Sequence, residues 1–217
     1  MKTSSFMAIP LLFIMYLIIA VPCQSCDPDD DDCDSCNVVY KPNIYIYPTE
    51  KTQLEVKINF PMGGNIITSI PEYGQGWNIA VDTNGIIDNY YSYLFYESIQ
   101  PDIWQVNYGW ITKSDQLESF FRQNMSEYGF EGREIDDFIE YWIPRLDIYS
   151  FYSIYPQTER TINNVIKLDF SKQPDSMLRL FYVIKGHNQK PDNIIEPTIE
   201  SFERNGFAVT EWGVILK

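Results

Sequence analysis

Two glutamates stand where a carboxylate can do chemistry. Glu97 shares strand parity with Tyr91, Tyr93 and Phe95, and Glu211 shares it with Phe207, Val209, Gly213 and Ile215. Side chains two apart on a strand point the same way. Each carboxylate is therefore expected to face the interior or a cleft, where it is costly unless hydrogen-bonded or raised in pKa. Two carboxyl groups roughly 5 to 9.5 Å apart form the acid–base machinery of a glycosidase. Tyr73, Trp77, Trp104, Trp110 and Trp212 would be its sugar-stacking platforms. The plainer reading makes each glutamate an acceptor of backbone or tyrosine hydrogen bonds and the aromatic rings core. Glu97 also lies at a strand end, where solvent can satisfy it.

Other catalytic constellations are missing from the sequence. Its one histidine, His187, lies in the polar stretch Gly186 to Asp192 and reads as a surface loop residue. No nucleophile elbow, P-loop or dinucleotide-binding glycine pattern is present. No cofactor and no metal are expected. The net charge of −14 repels phosphate backbones, so nucleic acid is not an expected partner.

The start of the chain says more about place than about chemistry. Phe6 to Val21 is almost wholly apolar and follows Lys2. It is shorter than the roughly 20 residues of a comfortable membrane span, so residues 1–25 read as a secretory signal. All four cysteines follow: Cys23, Cys26, Cys33 and Cys36. Ser25 before Cys26 suits a lipoprotein signal peptidase, and Pro22 before Cys23 does not. Lipidation of Cys26 also leaves Cys33 and Cys36 as an even pair for a disulfide. The acidic run after Cys26 resembles surface-export signals of lipoproteins, although Cys23 stands where a lipobox has Leu or Val. A four-thiolate zinc site is disfavoured by the short loop between the two C-x-x-C pairs and by an oxidising compartment. Asp27, Asp29 and Asp31 alternate as in an EF-hand, but Asp32 and Val38 replace the required Gly and Glu. Residues 26–40 thus read as a solvated acidic tether.

One α+β domain, residues 41–217, must position the glutamates. Asn43 to Tyr47, Leu54 to Phe60 and Ile66 to Ile70 read as strands. Trp77 to Val81 leads into Asn84-Gly85, a hairpin signal, with Tyr91, Tyr93 and Phe95 expected on the return. The period then changes. Leu117, Phe120, Phe121, Met125 and Tyr128 form one helical stripe, with Ser114 as N-cap and Gly129 as stop. Ile135, Phe138, Ile139, Trp142 and Ile143 form a second, stopped by Pro144. Strands resume at Phe151 to Tyr155, Ile166 to Phe170, Leu178 to Ile184 and Phe207 to Leu216. The expectation is an antiparallel β-sandwich or half-barrel with an inserted helical hairpin at about residues 114–143. Asn124-Met125-Ser126 matches a glycosylation sequon but falls on a helix.

Five segments form a recognisable set: Lys41-Pro-Asn-Ile-Tyr-Ile-Tyr-Pro48, Pro71-Glu-Tyr73 with Gly76-Trp77, Tyr93-Leu-Phe-Tyr-Glu97, Phe138-Ile-Glu-Tyr-Trp-Ile-Pro144 and Thr210-Glu-Trp-Gly213. Together they resemble a family of uncharacterised bacterial extracytoplasmic proteins, many of them lipoprotein-like. The resemblance runs from Lys41 to the C-terminus. It implies domain limits and compartment rather than chemistry, and it places Glu97 and Glu211 inside recurring motifs.

Two functional expectations result. The first is a non-enzymatic binding or structural module, held at the outer membrane or cell surface by a lipid anchor, or else secreted. The second is a glycan-directed hydrolase using Glu97 and Glu211, which requires both carboxylates in one cleft.

Overall fold

Alternation at Thr52–Asn59 folds as expected. Leu54, Val56 and Ile58 are buried while Gln53, Lys57 and Asn59 are exposed. A computed structural model describes residues 36–217 and shows a mixed α+β domain. Its strands are β1 (Cys36–Tyr47), β2 (Thr52–Asn59), β3 (Asn65–Ile70), β4 (Trp77–Val81), β5 (Leu94–Pro101), β6 (Trp110–Lys113), β7 (Phe151–Thr158), β8 (Lys167–Phe170), β9 (Ser176–His187) and β10 (Ala208–Leu216). The α-helices are α1 (Leu117–Tyr128), α2 (Arg133–Trp142) and α3 (Glu159–Val165).

A seven-stranded sheet runs β3-β5-β1-β10-β9-β7-β6, and a three-stranded sheet runs β4-β2-β8. The large sheet is the middle layer. Ile44, Ile46, Val209 and Ile215 pack with Val56, Ile79 and Leu168 of the small sheet on one face. Tyr45, Trp212 and Val214 pack with Phe121, Phe138 and Trp142 of α1 and α2 on the other. Leu180, Tyr182 and Ile184 face the helices while Phe181 and Val183 face the small sheet, so β9 is covered on both sides.

Chain stops follow local chemistry. Gly129 takes φ 109°, and its N–H and that of Phe130 both donate to Met125 O, closing α1. Pro144 sits in the 3₁₀ turn Ile143–Arg145 that ends α2.

Several expectations are corrected. Ser114 lies inside a 3₁₀ turn and makes no side-chain cap, because that turn inserts before α1. The chain after Asn84-Gly85 does turn back, with Asp82 N–H donating to Ile86 O, but the return is only the bridge Val81–Ile87. Leu94 and Phe95 instead enter the other sheet beside β1. Residues 36–40, expected in the tether, are the first part of β1, with Cys36 opposite Pro101 and Tyr40 opposite Val214. The sheets are not purely antiparallel, because β10 runs parallel to β9. A parallel neighbour demands a long return, and residues 188–207 supply it without helix or strand.

Candidate functional site

The inward parity of Glu211 is as expected, and its surroundings are filled. Tyr96 Oη donates to Glu211 Oε1 at 2.8 Å, and Arg179 Nε donates to Oε2 at 2.5 Å. Neither charged side chain is exposed. Arg179 Nη1 also donates to Asn163 Oδ1 at 2.6 Å and to Ile166 O at 2.7 Å, which ties α3 to β9. Burial is the largest influence on the guanidinium and opposes its charge, but Glu211, Tyr96 and Glu159 together outweigh it and the Arg179 pKa ends above its usual value. Burial, then Glu211, push the Tyr96 hydroxyl far up. Both carboxylate oxygens of Glu211 are thus taken by partners on β5 and β9 of its own sheet.

Glu97 does not meet it. Tyr96 reaches Glu211 between the two sheets, and Glu97 is its next neighbour along β5, so Glu97 points to the opposite face. The two carboxylates share no cleft, and the glycosidase pair expected from the sequence is overturned by this placement. The stacking platforms fall with it. Trp77, Trp104 and Trp212 are 2%, 6% and 0% exposed. Trp212 Nε1 donates to Glu134 O, Tyr73 packs edge-on against Trp77, and Trp110 packs on Phe120. Trp77, Trp104 and Trp212 are core, and Tyr73 and Trp110 are partly buried against it, with faces spent on neighbouring rings.

Glu97 belongs instead to a cluster around Lys41. There β1 bulges, and its register with both neighbours shifts before Asn43. Lys41 takes φ 57°, unusual for a side-chain-bearing residue. Its N–H donates to Glu97 Oε1 at 3.3 Å. Its ammonium donates to Asn43 Oδ1 at 3.2 Å and Tyr93 Oη at 3.3 Å. The same nitrogen lies 4.3 Å from the ring centre of Phe95, 4.7 Å from Tyr93 and 5.4 Å from Tyr141. Beside it, Tyr45 Oη donates to Asp137 Oδ2 at 2.8 Å. Burial lowers the Lys41 pKa to about 8, against the pull of Asp137 and Glu97. Burial raises both Glu97 and Asp137, opposed at Glu97 by the Lys41 N–H and at Asp137 by the Tyr45 hydroxyl. Residues from Lys41–Pro48, Tyr93–Glu97 and Phe138–Pro144 meet here.

His187 is a strand residue, not a loop residue, opposite Phe151 at the end of β9. Its Nε2 lies 3.0 Å from Ser153 Oγ. Burial and then Lys185 hold its pKa below the usual value.

A cleft of about 690 Å³ lies beside β9, within the roughly 300–1,000 Å³ of small-ligand sites. It opens where the large sheet splits. β10 accompanies β9 from Ser176 to Ile184, whereas β7 reaches only to Thr158 opposite Leu180 before the chain turns into α3. Ser176 to Arg179 therefore have no strand beside them on the β7 side. Tyr108, Tyr128, Ile195 and Phe202 give the cleft apolar walls, and Glu159, Glu196 and Glu200 give it acidic edges. Arg179 also borders it, with its charge already paired to Glu211. The return 188–207 forms much of the wall and is pinned: Gly109 N–H donates to Ile195 O, and Phe202 N–H to Tyr128 O. Arg204 adds two bonds to the buried carboxylate of Glu134, at 3.0 and 2.5 Å. Sequence reasoning read only Gly186 to Asp192 as polar and assigned nothing to the residues between Asp192 and Phe207. Ile194-Ile195 beside Glu196-Pro197 was the available signal, and Ile195 is 77% exposed.

Cys36 is disulfide-bonded. The expected lipidation of Cys26, or Cys23, and the Cys33 half of the expected disulfide lie outside the described residues. Comparison with protein-family models, curated proteins and solved structures finds nothing that matches this chain.

Proposed function

We propose that this protein is an extracytoplasmic lipoprotein, anchored to the outer membrane or cell surface through Cys26, whose domain is a non-enzymatic binding module. Its ligand is an extended segment carrying basic side chains, a peptide, bound in the cleft beside β9. The unaccompanied stretch Ser176–Arg179 carries this reading. An exposed strand edge offers backbone donors and acceptors to an added strand, and flanking pockets select its side chains. Glu159, Glu196 and Glu200 supply the complement to positive charge, and the net charge of −14 favours encounter. A long ordered return with no secondary structure of its own is the kind of segment that carries binding.

Two measurements test this. Mass spectrometry of the membrane-extracted native protein should find a lipidated Cys26 at the mature N-terminus and a Cys33–Cys36 disulfide. An unmodified N-terminus would end the anchor reading. Calorimetry of the full protein in detergent with alternating Lys/Val, Glu/Val and Ser/Val hexapeptides should show binding of the first alone. The response should weaken about tenfold in Glu159→Gln/Glu196→Gln/Glu200→Gln, a loss of roughly 1.4 kcal/mol. Equal binding of all three peptides would defeat the charge argument, and binding of none would defeat the cleft.

A further inference from the structure

Lys41 is held as a reactive amine is held, and the cleft plays no part in it. Its backbone adopts a left-handed conformation at a bulge, in the third strand from the sheet edge. Such positions persist only where the surroundings enforce them, and they gather at functional sites. Here Glu97 grips the backbone N–H and turns the side chain toward the helices. The amine then lies among Phe95, Tyr93 and Tyr141, half-buried, with two polar neighbours, Asn43 Oδ1 and Tyr93 Oη. No carboxylate hydrogen-bonds the Lys41 ammonium among the described residues. The charged groups around it are Glu97 from β5, Asp137 from α2 and Arg145 just beyond α2, and Glu140 faces Tyr93. Arg145 itself stacks on Tyr141, with its guanidinium carbon 3.9 Å from the ring centre. An ordinary surface lysine has water around its charge, and this one has rings.

We infer that Lys41 is a covalent capture site for small aldehydes and ketones, with Tyr93 as its proton donor. The neutral amine adds its lone pair to the carbonyl carbon, and the carbonyl π pair moves to oxygen. A proton passes from nitrogen to that oxygen, giving a carbinolamine. The Tyr93 hydroxyl, already in contact with Nζ, protonates the carbinolamine hydroxyl. The C–O bond breaks, water leaves, and the nitrogen lone pair closes the C=N bond. The Tyr93 phenolate then recovers the proton from nitrogen, so amine and carbonyl become imine and water with nothing else consumed. Deprotonation is within reach near neutral pH. A lysine at about 8 is about one quarter neutral at pH 7.5, against about one part in a thousand for an unperturbed lysine.

The test is reductive trapping on the full-length protein in detergent. Glyceraldehyde and cyanoborohydride are added at pH 7.5, and each lysine is quantified by peptide mass mapping. Modification at Lys41 is expected at least tenfold faster than at the exposed Lys113 and Lys190 in the same sample, and half-maximal near pH 8. Tyr93→Phe is expected to slow Lys41 severalfold while leaving Lys113 and Lys190 unchanged. A circular dichroism spectrum and urea midpoint matching the parent report that the variant is folded. The idea is overturned if Lys41 in the unaltered protein reacts no faster than Lys113. An unchanged rate in Tyr93→Phe overturns the assigned proton donor.

Discussion

Arg179 Nε and Glu211 Oε2 lie 2.5 Å apart, joining β9 to β10 where these two strands run parallel, with both side chains sealed from solvent. That ion pair is the fate of one of the two carboxylates whose strand parity offered an acid–base pair. Removing two charges from water is expensive, and only their mutual attraction with further hydrogen bonds offsets it. Tyr96, Asn163 and Ile166 O provide those bonds. Glu211→Gln is expected to lower stability by about 3–5 kcal/mol, because it leaves a buried guanidinium unpaired. Arg179→Met/Glu211→Gln should cost clearly less than the two single changes added together. Urea denaturation of all four proteins checks it, and additive losses would show that the pair is not coupled.

Parity alone located Glu211 correctly because the strand period is a local property of Phe207 to Ile215. The helical hairpin was legible for the same reason, since Leu117 to Tyr128 and Ile135 to Trp142 carry the 3.6 period and Gly129 an unmistakable stop. Helix α3 was not. It is a single short segment, with only Ile162 and Val165 buried, wedged between two strand patterns. Long-range relations were invisible too. Nothing in Phe207–Leu216 says that its neighbour runs parallel, and nothing in Lys41-Pro42 says that Tyr93 and Tyr141 will enclose the amine. The carboxylate pairing failed at this level: both parities were local, but the face each strand presents was not.

The Lys41 cluster gives the fold a slope with pH. Its pKa is about 8 when folded, pulled down first by burial, and near 10.4 when unfolded. Between those values the unfolded chain binds more protons, so this group makes stability rise with pH through that window. Lys41→Met removes the group. The stability of the variant relative to the parent should therefore be greatest at pH 7 and shrink as pH climbs from 8 to 10. Above 10 both proteins lose stability together, because buried tyrosines such as Tyr128, raised to about 12, still hold their protons only in the fold. Glu97 and Asp137, raised by burial, act the other way at acid pH, where stability falls as pH rises through their folded values. Guanidinium midpoints at pH 7, 8.5 and 10 decide the matter. A relative stability that does not change across them would remove the perturbed lysine.

Arg204 connects the cleft wall to the core. Its guanidinium donates twice to Glu134 and once to Gly129 O, and Glu134, fully buried, also receives Thr210 Oγ1 at 2.7 Å. The return 188–207 crosses from β9 to β10 with few other bonds to α1 and α2, Phe202 N–H to Tyr128 O being one. Arg204→Ala frees that wall and leaves Glu134 without its cation, for an expected loss of about 1.5–3 kcal/mol. Local opening should exceed global unfolding, so a protease should cut within 188–207 well before the rest of the domain. The Lys/Val peptide should bind about tenfold more weakly, since ordering the wall then opposes association by roughly 1.4 kcal/mol. Lys190→Ala, at an exposed position in the same segment, leaves the anchor intact and should change neither cleavage nor affinity. If Arg204→Ala binds the peptide as tightly as the parent, the return is not part of the binding surface.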